Sequence, residues 1–209
     1  MIVSNSMRKK LAVGWLVVLA VGVAVIFWRY EWKYSLPTPV PANYHAITLG
    51  SPVDLPSSAA ALYSADHKPL FLHFFNPDCP CSRFNMPQLR ALVQQYGQRA
   101  NFAIVVMSPD KYTASDIQTK FKLPYPVPVL CDSAVAAACG VYSTPQAVIL
   151  DKDRKLFYRG NYNRSRYCAD ERTAFARMAL TGLLENNFSQ TFDPLALKAY
   201  GCQLPSCTR

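Results

Sequence analysis

Two cysteines separated by one residue, Cys79 and Cys81, stand where an apolar run gives way to a helical pattern. The apolar run over residues 70–75 is bounded by prolines, which predicts a short buried strand. Because Pro77 disfavours a helical conformation at the preceding residue, a turn is expected before the cysteines. Apolar residues then recur at helical spacings over residues 84–96. The pattern therefore places Cys79 where a strand ends and a helix begins.

A cysteine at this position is suited to nucleophilic chemistry. The N-terminus of a helix offers unpaired backbone N–H groups and the positive end of the helix dipole, and both stabilise an anion. A thiolate is such an anion, so Cys79 is expected to ionise readily and to attack disulfides. The product is a mixed disulfide, which a second thiol resolves. The alternative interpretation is structural, with Cys79 and Cys81 as an inert pair or as two buried thiols.

The cysteine motif resembles that of the thioredoxin superfamily, in particular its redoxin-like, membrane-anchored thiol–disulfide oxidoreductases. Their usual motif is Trp-Cys-x-x-Cys, often followed by Met-Pro. Cys79 and Met86-Pro87 keep this register. Asp78 replaces the tryptophan, and Ser82 replaces the second cysteine, which makes the Cys-Pro-Cys-Ser motif atypical.

A second motif lies about 65 residues later, in the order that this fold requires. Thr144-Pro145, followed by Asp151, is similar to the Thr-Pro segment of the same family. The resemblance implies that Pro145 follows a cis peptide bond, faces the active cysteine, and leaves the Thr144 backbone available to pair with an incoming peptide. A trans turn is the alternative. The resemblance covers roughly residues 70–184.

His73 occupies the position at which thioredoxins carry a buried aspartate, six residues before the first active cysteine. A histidine at this position could relay a proton to or from the thiols. The alternative is a core histidine whose hydrogen bonds are satisfied. Both interpretations remain open from the sequence.

The sequence leaves the resolving thiol open, because Ser82 cannot perform the step. One hypothesis assigns it to Cys81, in a small, strained ring that would be a strong oxidant. The other assigns it to a distant cysteine, with Cys131 as the first choice, or to a partner protein. On either hypothesis the predicted catalytic set is Cys79, Cys81, Thr144, Pro145 and His73.

The other secondary-structure signals complete an α/β pattern. Residues 101–107 and 146–150 predict buried strands, and residues 155–158 predict a hairpin partner for the second of them. Helices are expected over residues 113–121 and 169–186. Strands that alternate with helices and end in a hairpin and a helix predict a sandwich with a mixed central sheet. The resemblance implies its thioredoxin-like, three-layer form, preceded here by one N-terminal transmembrane helix.

Residues 11–28 contain no charge and are long enough to cross a membrane, which takes ~17–25 residues. Trp28, Tyr30 and Trp32 suit an interfacial aromatic belt. A cleaved signal peptide is the alternative, but no small-x-small pair closes the segment. Three cations precede the helix, so the positive-inside rule predicts a cytoplasmic N-terminus and a domain on the opposite side. We therefore expect a single-pass protein of the inner, cytoplasmic membrane, with its catalytic domain in the periplasm if the cell is bacterial.

Composition predicts five parts along the chain. They are a cytoplasmic N-terminus (1–10), a transmembrane helix (11–28), a Pro-rich linker (29–44), a thioredoxin-like domain (45–186) and a Cys-containing C-terminal tail (187–209). The alternating prolines of the linker favour an extended, semi-rigid spacer that would hold the domain away from the membrane.

Seven cysteines are natural in an oxidising compartment, and their odd number leaves at least one outside any internal pair. Cys202 and Cys207 most simply form a disulfide within the tail. A short helix is predicted over residues 133–139, with Gly140 as its C-cap. Cys131 and Cys139 flank this helix and could also pair. Cys168 has no obvious local partner.

The function classes can be narrowed further. The net charge is +9, but the basic residues are scattered and no nucleic-acid motif is present, which argues against nucleic acid as a partner. We expect protein thiols or disulfides as partners, a possible redox donor in the membrane, and no cofactor or resident metal. Alternatives are a Cu(I)-handling protein that uses the Cys79-x-Cys81 pair with a nearby histidine, a peroxidase-like protein, and a degenerate redoxin without turnover.

Overall fold

The computed structural model describes residues 5–32, 36–62, 67–108, 111–122, 127–164, 170–187 and 190–204. Two of the cysteines considered above, Cys168 and Cys207, lie outside these residues. The chain divides into an N-terminal unit, Met1–Leu36, and a second unit, Pro37–Arg209.

The N-terminal unit is helical. Helix α1 spans Asn5–Phe27 and continues as a π-helical turn over Trp28–Trp32. Up to Tyr30 it is long and apolar enough to cross a membrane, and an 18-residue window within it has a mean hydropathy of 2.6. Length and composition of this kind suit either a membrane anchor or a signal sequence.

The second unit is built on a five-stranded sheet in which one central strand has both parallel and antiparallel neighbours. The strands in spatial order are β3 (Val129–Leu130), β2 (Asn101–Val106), β1 (Leu70–Phe75), β5 (Gln146–Leu150) and β6 (Leu156–Gly160). β1 runs parallel to β2 and antiparallel to β5. His73, at the middle of β1, stands opposite Ile104 on one side and Ala147 on the other.

Short helices and a second, two-stranded sheet complete the unit. The helices are α2 (Ser57–Ala60), α3 (Pro80–Phe84), α4 (Met86–Tyr96), α5 (Ala114–Phe121), α6 (Ala134–Cys139), α7 (Phe175–Leu184) and α8 (Pro194–Leu197). The small sheet joins β4 (Ser143–Thr144) to β7 (Cys202–Gln203).

Both faces of the central sheet are covered, because alternate residues of β1 pack into different apolar clusters. Phe71 and Phe75 pack in the cluster that contains the buried faces of α4 and α7. Leu72 and Phe74 belong to the other cluster, with residues of α2 and α6. All six residues of β1 are buried. The result is a three-layer, thioredoxin-like sandwich with a mixed central sheet, as the sequence predicted.

Where the helix ends agree with the prediction, specific capping residues determine them. Thr113 and Asp116 form a reciprocal capping box at the start of α5. Gly140 ends α6 in the left-handed conformation, which glycine adopts without a steric cost. The long helix predicted over residues 169–186 is shorter. Asp170 instead caps a 3₁₀ turn, Ala174 leaves the helical region, and α7 begins at Phe175.

The Pro-rich segment is not a spacer along its whole length. Pro37 forms an antiparallel bridge with Tyr200, and the Thr38 N–H donates to the carbonyl of Ala199 at 2.9 Å. Thr38 is buried. Tyr44 donates through its hydroxyl to the carbonyl of Gly140. From Pro37 onward, the segment therefore belongs to the folded domain, and it contacts the C-terminal tail.

Candidate thiol–disulfide site

Cys79 lies at the junction that the sequence predicted. A turn follows β1, in which the Cys79 N–H donates to the carbonyl of Asn76 at 3.1 Å. The side-chain oxygen of Asn76 accepts from the Asp78 N–H at 2.9 Å, which closes an Asx turn. Cys79 has an extended conformation and is the N-cap residue of α3, whose first residue is Pro80.

Ser82, at the position of the family's second cysteine, has a structural role. It is fully buried, and its hydroxyl oxygen accepts from the Asn76 N–H at 3.2 Å. This hydrogen bond ties the first turn of α3 to the end of β1. Ser82 therefore holds the loop that presents Cys79, although it cannot take part in disulfide exchange.

The Thr144–Pro145 peptide bond is cis, which confirms the expectation from the resemblance. The Sγ atom of Cys79 lies 3.9 Å from the carbonyl oxygen of Thr144, and Thr144 is fully buried. The structure thus brings together Cys79 from the first motif and Thr144 and Pro145 from the second, although 65 positions separate Cys79 from Thr144.

The structure joins Cys79 by a disulfide to Cys202, 123 residues later, with 6.2 Å between the two Cα atoms. The expected pairing of Cys202 with Cys207 was therefore wrong, and neither Cys81 nor Cys131 is the partner of Cys79 here. Cys202 reaches the site because β7 pairs antiparallel with β4, in a register that sets Thr144 opposite Cys202. The disulfide and this strand leave only 2% of Cys79 exposed.

Cys81 lies in the same cluster of sulfurs. The Sγ atoms of Cys79, Cys81 and Cys202 all lie within 4.8 Å of one another. Cys81 is almost fully buried, with 3% of its surface exposed. After reduction of the disulfide, the site would therefore present three neighbouring thiols.

The other described thiols differ from this cluster. Cys139 is buried in the core, and desolvation raises the pKa of its thiol to about 12, although Arg159 nearby opposes that shift. Cys131 is exposed, and partial burial of its sulfur also raises its pKa. The considered Cys131–Cys139 disulfide is wrong, because both residues are free thiols. Neither is prepared to act as a thiolate near neutral pH.

His73 is a core residue in this structure. It is fully buried, and burial lowers the pKa of its imidazole to about 3, so the ring is neutral at physiological pH. Its Nδ1 atom is hydrogen-bonded to the hydroxyl of Tyr162 at 2.7 Å. Among the described residues, its Nε2 atom has no hydrogen-bond partner. His73 does not belong to the sulfur cluster.

A surface network lies beside the nucleophile. The carboxylate of Asp78 accepts from the Tyr112 hydroxyl at 2.7 Å and from the Lys111 ammonium at 3.0 Å. These two hydrogen bonds, in that order, lower the pKa of Asp78, so it is ionised next to Cys79. The pair is exposed, so its contribution to stability is small.

The sequence analysis assigned Cys202 to a disulfide within the tail and not to the site, and it missed the glycine before it, Gly201. Their only local signal was the Gly-Cys step in a segment otherwise without a strong helix or strand pattern. Tyr162, the partner of His73, was missed as well, because 89 residues separate the two.

Two solved structures resemble most of the chain. A hypothetical protein from Sinorhizobium meliloti 1021 is 21% identical and gives a TM-score of 0.60, covering 77% of this chain and 96% of that one. An uncharacterised conserved protein from Geobacillus kaustophilus is 20% identical, with a TM-score of 0.59, and covers 82% of this chain and all of that one. At these identities the likeness concerns the fold.

A third structure matches a smaller share. The exposed lipoprotein thioredoxin Etrx1 from Streptococcus pneumoniae strain TIGR4 is 20% identical and gives a TM-score of 0.43, over 57% of this chain and 89% of that one. No curated protein matches the sequence significantly. The profile of one family, described as a domain of unknown function (DUF6436), matches residues 52–205. The match spans most of the chain and includes the Cys79, Thr144–Pro145 and Cys202 segments, so the chain belongs to the DUF6436 family.

Proposed function

We propose that the protein is a thiol–disulfide oxidoreductase in which Cys79 is the nucleophile and Cys202 is its exchange partner. The observation that carries the proposal is the Cys79–Cys202 disulfide beside the Pro145 peptide. A thioredoxin-like sandwich with a disulfide at this position supports exchange with protein thiols or disulfides as substrates.

In the reductive direction, the Cys79 thiolate attacks one sulfur of a substrate disulfide and expels the other sulfur as a thiolate. The Cys202 thiolate then attacks the Cys79 sulfur, which forms the Cys79–Cys202 bond and releases the substrate's second sulfur. Two electrons pass from the protein to the substrate. An external dithiol, such as a redox donor in the membrane, must reduce Cys79–Cys202 before the next cycle. The oxidative direction is the same sequence reversed.

The remaining predicted residues have supporting roles in this proposal. Pro145 and the Thr144 carbonyl form the wall of the site beside the Cys79 sulfur. Cys81 lies close enough to attack either sulfur of the disulfide and is a second candidate for the resolving step. The burial and neutrality of His73 favour a core role over a proton relay.

The cellular location is also part of the proposal. We place α1 in the inner, cytoplasmic membrane as a single anchor, with the domain on the periplasmic or extracytoplasmic side. The apolar length of α1, the three cations that precede residues 11–28 and a disulfide in the second unit all favour this arrangement. Protease protection of the domain in intact spheroplasts, rather than its digestion, would contradict it.

Reduction of insulin and of glutathione disulfide by the full chain in detergent tests the exchange activity. Cys79→Ser should lower turnover by at least about a hundredfold, because it removes the nucleophile that lies at the start of α3 beside the Thr144 carbonyl. Cys202→Ser should retain the first attack, and together with Cys81→Ser it should accumulate the mixed disulfide at Cys79. Cys131→Ser is the matched control and should retain wild-type turnover. Equal activity of Cys79→Ser and wild type would overturn the proposal.

The cluster of three sulfurs favours a second candidate function, Cu(I) binding by the reduced protein. Thiolates are soft ligands that select Cu(I), and three sulfurs within 4.8 Å could surround one ion. This differs from the ligand set expected from sequence, since Cys202 takes the place of the histidine. The disulfide ties up two of the three ligands, so only the reduced protein would bind.

Anaerobic competition with a chromogenic Cu(I) chelator tests this candidate. Cys81→Ser should weaken binding by at least about tenfold, the lower bound for losing even an outer supporting group of a metal site. Cys131→Ser should leave the affinity unchanged. Equal affinities of the oxidised and reduced proteins would exclude a site at this cluster.

A further inference from the structure

The tail strand, defined here as residues 199–204, occupies the backbone edge beside Cys79. Thr144 pairs with Cys202 and Ser143 pairs with Gln203, both antiparallel. The Leu204 N–H extends the ladder by donating to the carbonyl of Tyr142 at 3.3 Å. The chain's own extended segment thus places a cysteine against the nucleophile, as a bound substrate peptide would.

Gly201 determines how closely the tail strand approaches this edge. Its φ of +125° is a conformation that other residues rarely adopt. A Cβ atom at this position would lie 2.2 Å from the carbonyl oxygen of Thr144 and 3.2 Å from the Cδ atom of Pro145. Any larger residue would therefore move the strand away from the cis peptide and from the Cys79 sulfur.

The tail strand is attached less firmly than the segment that precedes it. Asn161 holds that segment through its side-chain amide, which donates to the carbonyls of Leu195 at 2.8 Å and Lys198 at 2.6 Å. Beyond Lys198, backbone ladders and one long hydrogen bond from the Thr38 hydroxyl to the Gly201 carbonyl (3.4 Å) supplement the disulfide. Reduction removes the covalent link, so the strand can leave while its base stays in place.

We propose that the tail strand is a built-in competitor at a peptide-binding edge, and that the preferred partner is an extended polypeptide segment whose cysteine follows a glycine. This inference rests on the proposed function, because it assigns the substrate class and the regulation of the same site. The tail strand and a partner strand need the same backbone groups of Ser143 and Thr144, so only one of them can pair at a time.

The exchange step can be isolated with an activated peptide. We choose the sequence of residues 200–204, with its cysteine joined in a mixed disulfide to thionitrobenzoate. The Cys79 thiolate attacks the peptide sulfur, forms the Cys79–peptide disulfide and expels coloured thionitrobenzoate, so one disulfide replaces another. Cys81→Ser, Cys131→Ser and Cys202→Ser together in the full chain remove the two neighbouring thiols and the exposed one, so the release of colour reports a single attack by Cys79.

Gly201→Ala, added to this background, should dislodge the tail strand without truncating the chain. The attack on the peptide should then accelerate by at least tenfold, because a tethered segment competes at an effective concentration of ~1 mM. Gly50→Ala is the matched control. Gly50 also has a positive φ of +84°, but nothing lies within 4 Å of its would-be Cβ atom, so this change strains the backbone without touching the tail.

The partner preference is measured in the Gly201→Ala protein with a second peptide in which alanine replaces the glycine. The attack of Cys79 on this second peptide should be slower by about tenfold, because the alanine side chain must adopt a disfavoured backbone conformation. Circular dichroism establishes that each variant folds. Should Gly201→Ala fail to fold, Thr38→Val in the same background provides the test. It should also accelerate the attack on the peptide, by a smaller factor.

A small probe, cysteine joined to thionitrobenzoate, distinguishes a failure of exchange at Cys79 from a failure of the tail strand to compete. No reaction with the small probe in any variant would overturn the proposed function and, with it, this inference. Reaction with the small probe, but equal rates for the two peptides or no difference between Gly201→Ala and Gly50→Ala, would overturn the inference alone.

Discussion

The two sheets of the second unit are held together by different means. The central sheet consists mainly of strands of five or six residues, and its central strand, Leu70–Phe75, is buried throughout. The sheet of β4 and β7 has two residues in each strand, and Gln203 at its margin is exposed. Apolar packing holds the first sheet, whereas the second depends on the Cys79–Cys202 disulfide and a few backbone hydrogen bonds.

This difference means that the central sheet maintains the fold, whereas the small sheet can change its structure with redox state. Buried apolar surface does not depend on redox state, so the central sheet should survive reduction of the disulfide. On reduction, β7 loses the disulfide that links Cys202 to Cys79, and elements with few buried contacts open at low free-energy cost. The site therefore lies between the central sheet, which persists in both redox states, and the small sheet, which can open when the disulfide is reduced.

The largest effect is expected for a core truncation in the central sheet. Phe71 is fully buried and packs against Phe102 and Tyr162. Phe71→Ala should lower the free energy of unfolding by about 3–5 kcal/mol, through lost burial and a cavity. Denaturant unfolding of the full chain in detergent measures it, with the half-exposed Met178→Ala as control. The loss should be equal in oxidised and reduced protein, and a redox-dependent loss would break the contrast between the two sheets.

A pH-dependent effect is expected from His73 within the same sheet. Its folded pKa of about 3 lies below its ordinary value of 6.5, so between these limits the unfolded state binds the extra proton. Stability due to this group is complete above pH 6.5 and falls by about 1.4 kcal/mol for each unit of acidification below it. His73→Phe should show a correspondingly shallower decline of unfolding free energy. Parallel declines in the two proteins would contradict a buried, neutral imidazole.

A smaller loss is expected at the base of the tail. Asn161 donates two hydrogen bonds from a buried amide to the segment that precedes the tail strand. Asn161→Ala should cost about 1–3 kcal/mol, because it leaves those carbonyls without their donor. Urea midpoints measure it, with the exposed Gln94→Ala as control. If amide exchange of residues 202–204 in the reduced protein stayed at the wild-type rate, Asn161 would not be the anchor of the tail strand.

The smallest effect is expected where the Pro-rich segment touches the tail strand. Thr38→Val keeps the shape of the side chain and removes the hydroxyl that donates to the Gly201 carbonyl. One such bond contributes about 0.5–1.5 kcal/mol, so exchange of the Gln203 and Leu204 amides in the reduced protein should accelerate about fivefold. Amides of β1 and β2 should exchange at their wild-type rates. Acceleration throughout the domain would mean that Thr38 supports the whole fold.

Local patterns predicted much of the fold and half of the site. The strand–turn–cysteine–helix junction at Cys79 and the Thr144–Pro145 motif depend on neighbouring residues, and both were placed correctly. The partner of Cys79 was not, because nothing near Cys202 encodes an approach to a residue 123 positions away. The shorter helix α7 has a local cause, since the Asp170 cap and the backbone of Ala174 compete with the periodicity that suggested a longer helix.

The pairing of Pro37 and Thr38 with residues 199–201 has a practical consequence for making a soluble version of the domain. Composition suggests that such a fragment should begin at residue 45, after the prolines. A fragment cut there would discard the residues that line one side of the tail strand. Its sulfur site would be more open than that of the intact protein, and it would exaggerate the reactivity of Cys79. A fragment that begins before Pro37 and carries any affinity tag at its N-terminus would preserve the native enclosure of the site.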